Sequence, residues 1–518
     1  MASFKARFKH ILCAPGLDNH AIEARYTRLS GAIEKTCKSA DFRIPSEKDR
    51  DRVLYSSSFR RLGEITQVIP RERGYILHNR LTHSLKVAQL GRRMAERLLL
   101  TADGTKNEAA IELANKLGGL DPNIVETAAL AHDLGHPPFG HIIEEFLDKK
   151  TKPSTGDGYE GNAQSFRIVT YLENRDTKAS KEDGLDLTLA SLNATLKYPW
   201  CRDVSDGARG KKVSKFGYYA FTEPDKNHFK KVRDRLSPHC GGEGNRSLEA
   251  ELMDWADDIA YAIYDIEDFY RAGLIPLDKI IRECLEQGEA AHTVDSDNEM
   301  HFLKEETRHR WKLQGREDSE IAGLEDSFSI FSRFLQETIV STKSLGTQQG
   351  NTESGNGLFN VASLSLRSSY RNTEEQRHAL AILTSSLVEE FTAAISLNPD
   401  AVADTTKSKV VITNVARTVV KILKELTWTY VIDNADLHAI QYGQQSLVEF
   451  VYDTLMQAAQ EDKKILPKSI RDKLTDGTVT NRIVTDVIAG MSESQIVDLY
   501  GRFTGNSAGT LLRSTYMA

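Results

Sequence analysis

The chain has 518 residues, 40% of them hydrophobic and 27% charged, with a formal net charge of −7. This is the composition of a globular chain long enough for about two to four domains, and its acidic balance excludes a global basic field that would recruit nucleic acid. Five scattered cysteines without a CxxC pair, an N-terminus without an apolar signal core and no membrane-length apolar run predict a soluble cytoplasmic protein without a disulfide or zinc–thiolate framework.

Helical periodicity dominates from end to end, so the expected fold is mainly α. Gln67 to Pro70 with Tyr75 to Leu77 reads as one short hairpin, and 81–100 as a helix. Asp121-Pro122 offers an N-cap followed by Pro at the first helical position, with Val125, Ala128, Ala129 and His132 then at helical spacing. Pro137-Pro138 stops that helix, because proline lacks an N–H and clashes with the preceding turn. A new helix carries His141 through Leu147. Residues 201–217, rich in Lys, Arg, Gly and Asp, read as a loop. Lys226 to Arg235 is a basic stretch with one aromatic, expected to be a solvated helix face rather than a phosphate-binding one. Leu248, Leu252, Trp255, Ile259, Ile263 and Ile266 mark the apolar stripe of a long amphipathic helix. Further helices are predicted over 324–341, 375–395, 409–432 and 443–460, with 342–357 as a flexible linker or surface loop. We divide the chain into a core, 1–285, and a C-terminal helical region, 286–518, packed separately or as one body.

Chemistry concentrates in the run from Ala131 to His141, where His132, Asp133, His136 and His141 surround Pro137-Pro138. Adjacent imidazole and carboxylate groups face one cation only where the backbone orients them together. Divalent metals accept both donor types, so a set of two His and two Asp is chemically reasonable. His83, at the start of a predicted helix, and Asp257 or Asp258, opposite the apolar stripe, complete such a set. No GxxxxGK[ST] loop is present, which disfavours a P-loop NTPase.

Longer strings narrow the reading. Asp49-Arg50-Asp51-Arg52, Phe59-Arg60-Arg61-Leu62 through Gln67-Val68, Asn79-Arg80-Leu81-Thr82-His83-Ser84, His132 through His141, Tyr159-Glu160-Gly161-Asn162-Ala163-Gln164 and Ala256-Asp257-Asp258-Ile259-Ala260-Tyr261 resemble the deoxyguanosine triphosphate triphosphohydrolases, a family of the HD-domain metal phosphohydrolases. These strings span roughly residues 45–275, about half of the chain. The resemblance implies an HD-domain helical bundle core and hydrolysis of a deoxynucleoside triphosphate to deoxynucleoside and inorganic triphosphate. It implies Mg²⁺ or Mn²⁺, with other first-row metals open, on His83, His132, Asp133 and Asp257. Asp257 is preferred to Asp258 because the family's ligand is followed at +4 by Tyr and at +8 by Asp. Tyr261 and Asp265 fit, and i, i+4 and i+8 share one helical face; Asp258 then makes an outer contact.

The remaining roles follow from the same resemblance. Expulsion of triphosphate requires attack at the α-phosphorus and a proton for the 5′ oxygen. His141 and Glu144, at i and i+3, are the catalytic pair, the carboxylate orienting the imidazole. Arg80, Lys197 and Tyr198, with Asn162 and Lys215, are expected on the phosphates, and His136 contacts phosphate or braces the site. Gln67 and Asp265 bind the sugar hydroxyl, and Tyr261 under C2′ excludes ribonucleotides. The family further implies a homo-oligomer, a hexamer, and a dNTP or single-stranded DNA effector. The alternatives are an HD-type nucleotide phosphomonoesterase or phosphodiesterase, and a non-enzymatic nucleotide- or nucleic-acid-binding regulator.

Overall fold

Helices make up nearly all regular structure in the computed structural model, which describes residues 19–33, 41, 43–69, 77–173, 183–202, 215–240, 244–286, 298–341, 365–461, 463–475 and 480–506. The one sheet among these residues is a two-stranded antiparallel pair, Ile395–Leu397 (β1) with Val410–Ile412 (β2), in which Ile395 faces Ile412.

Local chemistry sets where the site helices begin. Arg80–Leu99 (α1) starts at a capping box, the Asn79 side chain accepting from Thr82 N at 2.9 Å. Pro122–Ala131 (α2) is capped by Asp121, which accepts from Asn123 N at 2.9 Å, and Pro122 occupies the position whose N–H would have no helical partner. His141–Thr155 (α3) and Gly161–Arg167 (α4) follow, and Ser247 caps Leu248–Arg271 (α5). The apolar stripe predicted on α5 is buried along its whole length, Leu248 to Ile266, and each such side chain contributes about 1.5–3 kcal/mol. The helices α1, α2 and α5 pack together. Small residues permit the approach: a Cβ on Gly91 of α1 would come within 2.9 Å of Val125 of α2.

The helix α2 ends at Ala131, ahead of the prolines expected to stop it. Ser165 of α4 explains the early stop. Its hydroxyl donates to His132 O at 2.8 Å and accepts from Gly135 N at 2.9 Å, taking backbone groups that a longer helix would use. Gly135 is required here, since a Cβ would meet Gly161 O at 2.1 Å. His132 and Asp133 therefore sit in tight turns rather than on a helix.

The C-terminal region builds on this core. Asn414–Thr427 (α6) packs on α5, while Ala435–Gln460 (α7) and Thr480–Ala489 (α8) pack on α3; Glu493–Phe503 (α9) packs on α7. One hydrophobic core runs from Ile22 to Val431, and a second joins Ile143 and Leu147 of α3 to Val451, Ile488 and Leu499. The predicted helix over 409–432 begins later, because Val410–Ile412 is the strand β2; the one over 443–460 begins earlier, at Ala435. Residues 342–357, most of 201–217 and 70–76 of the expected hairpin lie outside the described residues. Beside the last, Thr66 and Asn79 form an isolated antiparallel bridge. No helix among the described residues is long and apolar enough to cross a membrane.

Candidate active site

His83 in the first turns of α1, His132 at the end of α2 and Asp133 beside it are buried, and each brings one ligand-type atom within 4.8 Å of the others. Asp257 of α5 faces the same point: its Oδ1 lies 3.0 Å from His83 Nε2 and 3.5 Å from His132 Nε2. The two carboxylates are arranged alike. Asp133 turns Oδ1 toward His132 Nε2, at 3.4 Å, and accepts at Oδ2 from Arg80 at 2.8 Å. Asp257 accepts at Oδ2 from Lys197 at 2.7 Å. Arg80 and Lys197, expected on phosphate, are thus anchored on the two aspartates, and Lys197 also reaches Asp254 at 2.8 Å.

Electrostatics favour a cation at this point. Burial disfavours charge on His132, yet Asp133 and Asp257 outweigh it and raise the imidazole to about 9. Burial likewise opposes ionisation of the two carboxyls, but His132 with His136 and Arg80 holds Asp133 well below the usual range, and Lys197 with His132 does so for Asp257. His132 Nδ1 lies 2.6 Å from Ala129 O, while Nε2 is buried without a hydrogen-bond partner. A buried nitrogen aimed at two carboxylates, with its other nitrogen held by a carbonyl, fits a metal ligand. Two imidazoles and two carboxylates suit Mg²⁺, Mn²⁺ or another first-row ion. Asp258 points elsewhere, to Lys424 of α6.

Asp133 also leads to a second cluster. Its Oδ1 lies 3.0 Å from His136 Nδ1, and the His136 ring meets the His141 ring edge-on with centroids 5.7 Å apart. His141 Nδ1 pairs with Glu144 Oε2 at 2.9 Å, and Gly161 N donates to Glu144 Oε1 at 2.8 Å. Burial alone would raise the Glu144 carboxyl, but the His141 hydrogen bond and His136 bring it below its ordinary value. His136, His141 and Glu144 also offer ligand atoms within 4.8 Å of one another. With both Glu144 oxygens already hydrogen-bonded and the His141 side chain 71% exposed, this is better suited to handling a proton than a metal. The turn before α3 is unusual: Phe139 has φ +63° and Gly140 φ +69°, a left-handed path that is costly for a residue with a Cβ.

Gln67 and Asp265 line one small cavity with His78 and Asp268, and Gln67 Oε1 and Asp265 Oδ2 are buried there without partners. Burial, with Asp268 and Asp257 nearby, pushes the Asp265 carboxyl well above its usual range. Tyr261 lies one turn before Asp265 on α5, with Lys424 Nζ 5.8 Å from its ring centre. Asn162 donates to the carboxylate of Glu160, through N at 2.7 Å and Nδ2 at 2.8 Å, and is half-buried. Tyr198 packs against Trp200 and Arg246, and Lys215 is exposed, its carbonyl accepting from Trp200 Nε1 at 2.9 Å. The basic stretch 226–235 exposes Lys226, Lys230, Lys231 and Arg235, while its Phe229 is buried and stacks on Tyr218.

Nothing read from the residues pointed to what the C-terminal region supplies. Lys424 holds Asp258; Asp486 of α8 takes Arg167 at 3.0 Å; Met491 O accepts from Arg61, which also donates to Leu134 O and His136 O at 2.6 and 2.9 Å.

Residues 80–262, which include His83, His132, Asp133 and Asp257, match the HD domain, and residues 410–502 match the phosphohydrolase-associated domain. A deoxyguanosinetriphosphate triphosphohydrolase-like protein of Streptomyces coelicolor is 27% identical over 90% of this chain and 93% of its own length. A protein of Mesorhizobium japonicum named deoxyguanosinetriphosphate triphosphohydrolase-like protein 2 is 27% identical over 93% of this chain and 97% of its own. Against the like-named protein of Corynebacterium efficiens the identity is 38%, over 48% of this chain and 50% of that relative, so this match spans about half of either length.

Proposed function

The chain belongs to the HD-domain phosphohydrolases related to the deoxyguanosinetriphosphate triphosphohydrolase-like proteins, and on that premise we propose that it hydrolyses deoxynucleoside triphosphates, dGTP or several dNTPs, to deoxynucleoside and inorganic triphosphate. The observation that carries the reading is the position of Asp133. One of its oxygens lies between His132 Nε2 and His136 Nδ1, so this carboxylate joins the ligand-type cluster to His136, whose ring meets that of His141 in the His141–Glu144 pair.

A divalent ion on His83, His132, Asp133 and Asp257 would polarise the phosphoryl oxygens of the substrate. Arg80 and Lys197, fixed by the aspartates, supply positive charge beside the polyphosphate, with Tyr198, Asn162, Lys215 and His136 around it. Water forms a bond to the α-phosphorus, the bond from that phosphorus to the 5′ oxygen breaks, and triphosphate departs. His141, oriented by Glu144, gives its proton as an imidazolium to the 5′ oxygen, and the proton lost by the attacking water restores that imidazolium. Gln67 and Asp265 hydrogen-bond the 3′-hydroxyl from their unpartnered atoms. Tyr261 packs beneath C2′ and rejects a 2′-hydroxyl.

The test is a panel of the four dNTPs with Mg²⁺ or Mn²⁺ and separation of the products. Deoxynucleoside with tripolyphosphate is expected; deoxynucleoside monophosphate with pyrophosphate overturns the reading. A homo-oligomer and activation by a second dNTP or single-stranded DNA belong to the same reading. Light scattering and addition of each effector to the panel test them.

A further inference from the structure

Glu493 is the first residue of α9, yet its carboxylate serves two distant segments of the HD side of the molecule. Oε1 accepts from Thr66 N at 2.7 Å and from Phe139 N at 3.1 Å, and Oε2 accepts from Thr66 Oγ1 at 2.9 Å. Thr66 directly precedes Gln67, which lines the cavity with Asp265. Phe139 is two residues before His141 and has a left-handed backbone that sets the direction in which α3 leaves the turn. The helix end that carries this carboxylate is held in place. Ser492 and Gln495 form a capping box at the start of α9, the Gln495 side chain accepting from Ser492 N at 2.8 Å. On either side Arg61 ties Met491 O to Leu134 O and His136 O, and Ser494 donates to Glu64 at 2.5 Å.

We propose that Glu493 is a positioning residue for the active site: one carboxylate from the C-terminal region fixes the Gln67 segment and the His141 turn relative to each other. The inference rests on the reading that Gln67 and His141 act on opposite sides of the same deoxynucleoside, at the 3′-hydroxyl and the 5′ oxygen. All three groups that Glu493 accepts from are neutral donors, so the role is geometric and needs an oxygen at the right reach more than a negative charge. A misplacement of either arm by a fraction of an ångström lowers the population of reactive complexes.

Two conservative variants separate this role from ordinary helix capping. E493Q keeps an oxygen for the two backbone N–H groups and presents an amide N–H to the Thr66 hydroxyl. E493D keeps the charge at the helix N-terminus, where it favours α9, but withdraws the carboxylate by one methylene so that it cannot reach both arms. Kinetics of dNTP hydrolysis are measured on folded enzyme of known metal content. The expected result is E493Q within about twofold of wild type, with E493D and E493A raised in KM and lowered in kcat by about tenfold. Amide exchange over residues 64–67 and 134–140 should be faster in E493D than in E493Q, a ranking read without substrate. E493D at wild-type level with E493Q impaired in both readouts overturns the proposal, since only charge at the helix end would then matter. If E493A does not fold, the order of the Gln and Asp variants decides. If wild type releases no tripolyphosphate from any dNTP, the functional reading fails, and the exchange ranking still decides whether Glu493 fixes the two arms.

Discussion

The imidazole of His132 is held by Ala129: Nδ1 lies 2.6 Å from that carbonyl, so the end of α2 aims Nε2 at the carboxylates of Asp133 and Asp257. His132→Ala and His83→Ala should therefore lose the bound divalent ion while the rest of the core persists. Metal that binds only the folded state stabilises it, by about 2.7 kcal/mol at a hundredfold excess over Kd. EDTA should lower the Tm of the wild type and leave that of His132→Ala unchanged. Stoichiometric metal in both variants after dialysis, read by plasma mass spectrometry, would place the ion elsewhere.

Lys197 offers a prediction with opposite signs for metal and substrate. Its ammonium touches Asp257 and Asp254 at 2.7 and 2.8 Å, within the charge cluster that would hold the cation. Lys197→Met removes a like charge from beside the metal and an unlike charge from beside the polyphosphate. We expect Mn²⁺ to bind more tightly, by about tenfold, and KM for dNTP to rise by a similar factor. Titration calorimetry with Mn²⁺ and steady-state kinetics on the same preparation read the two signs. Weakened Mn²⁺ binding would mean that Lys197 chiefly shapes Asp257.

The difference between what was and was not legible in the sequence follows from distance along the chain. His132 and Asp133 are neighbours, so local sequence exposed them; Asp257, Tyr261 and Asp265 were picked out by the family resemblance, with which their place on one helical face agrees. The attachment of Lys197 to Asp257 joins positions 60 apart, and that of Glu493 to Thr66 positions 427 apart, where no periodicity operates. An acid in the first turn of α9 reads as routine helix chemistry. The same limit governs the fold. The α5 stripe was plain, whereas Val410–Ile412 looked like the start of α6 until its pairing with Ile395–Leu397 made it a strand. The first turns of α7 were missed because, apart from Leu437, they bury almost nothing.

His141→Gln and Glu144→Gln test the proton pair. The His141 side chain is 71% exposed, so its replacement should leave the Tm and metal content at wild-type values. Loss of a positioned acid typically costs about 10²–10⁴ in rate, and we expect kcat to fall by that much with KM little changed. Glu144→Gln keeps an oxygen for Gly161 N, yet loses the charge that steadies an imidazolium, so its kcat should fall less. Equal turnover in wild type and His141→Gln would move the general acid to another residue.

Glu160 gives a stability prediction with a definite sign in pH. It caps α4, accepting from Asn162 N and Ala163 N at 2.7 and 3.1 Å, bonds that favour its ionised form. Burial and the neighbouring Glu144 outweigh them and push the carboxyl up from 4.5 to about 8. In the unfolded chain the group loses its proton near the ordinary value, while the folded protein retains it, so the unfolded state binds fewer protons between these limits. The contribution of Glu160 to stability is thus fully present below the unfolded value and is lost as pH rises through the folded one, at no more than about 1.4 kcal/mol per pH unit. Glu160→Gln keeps an oxygen for the helix N–H groups and cannot ionise. Urea unfolding of both proteins from pH 4.5 to 8.5 should show a shallower decline for the variant, with its advantage greatest at the alkaline end. Parallel curves would mean that Glu160 is already ionised in the folded protein, its charge carried by the amides of α4.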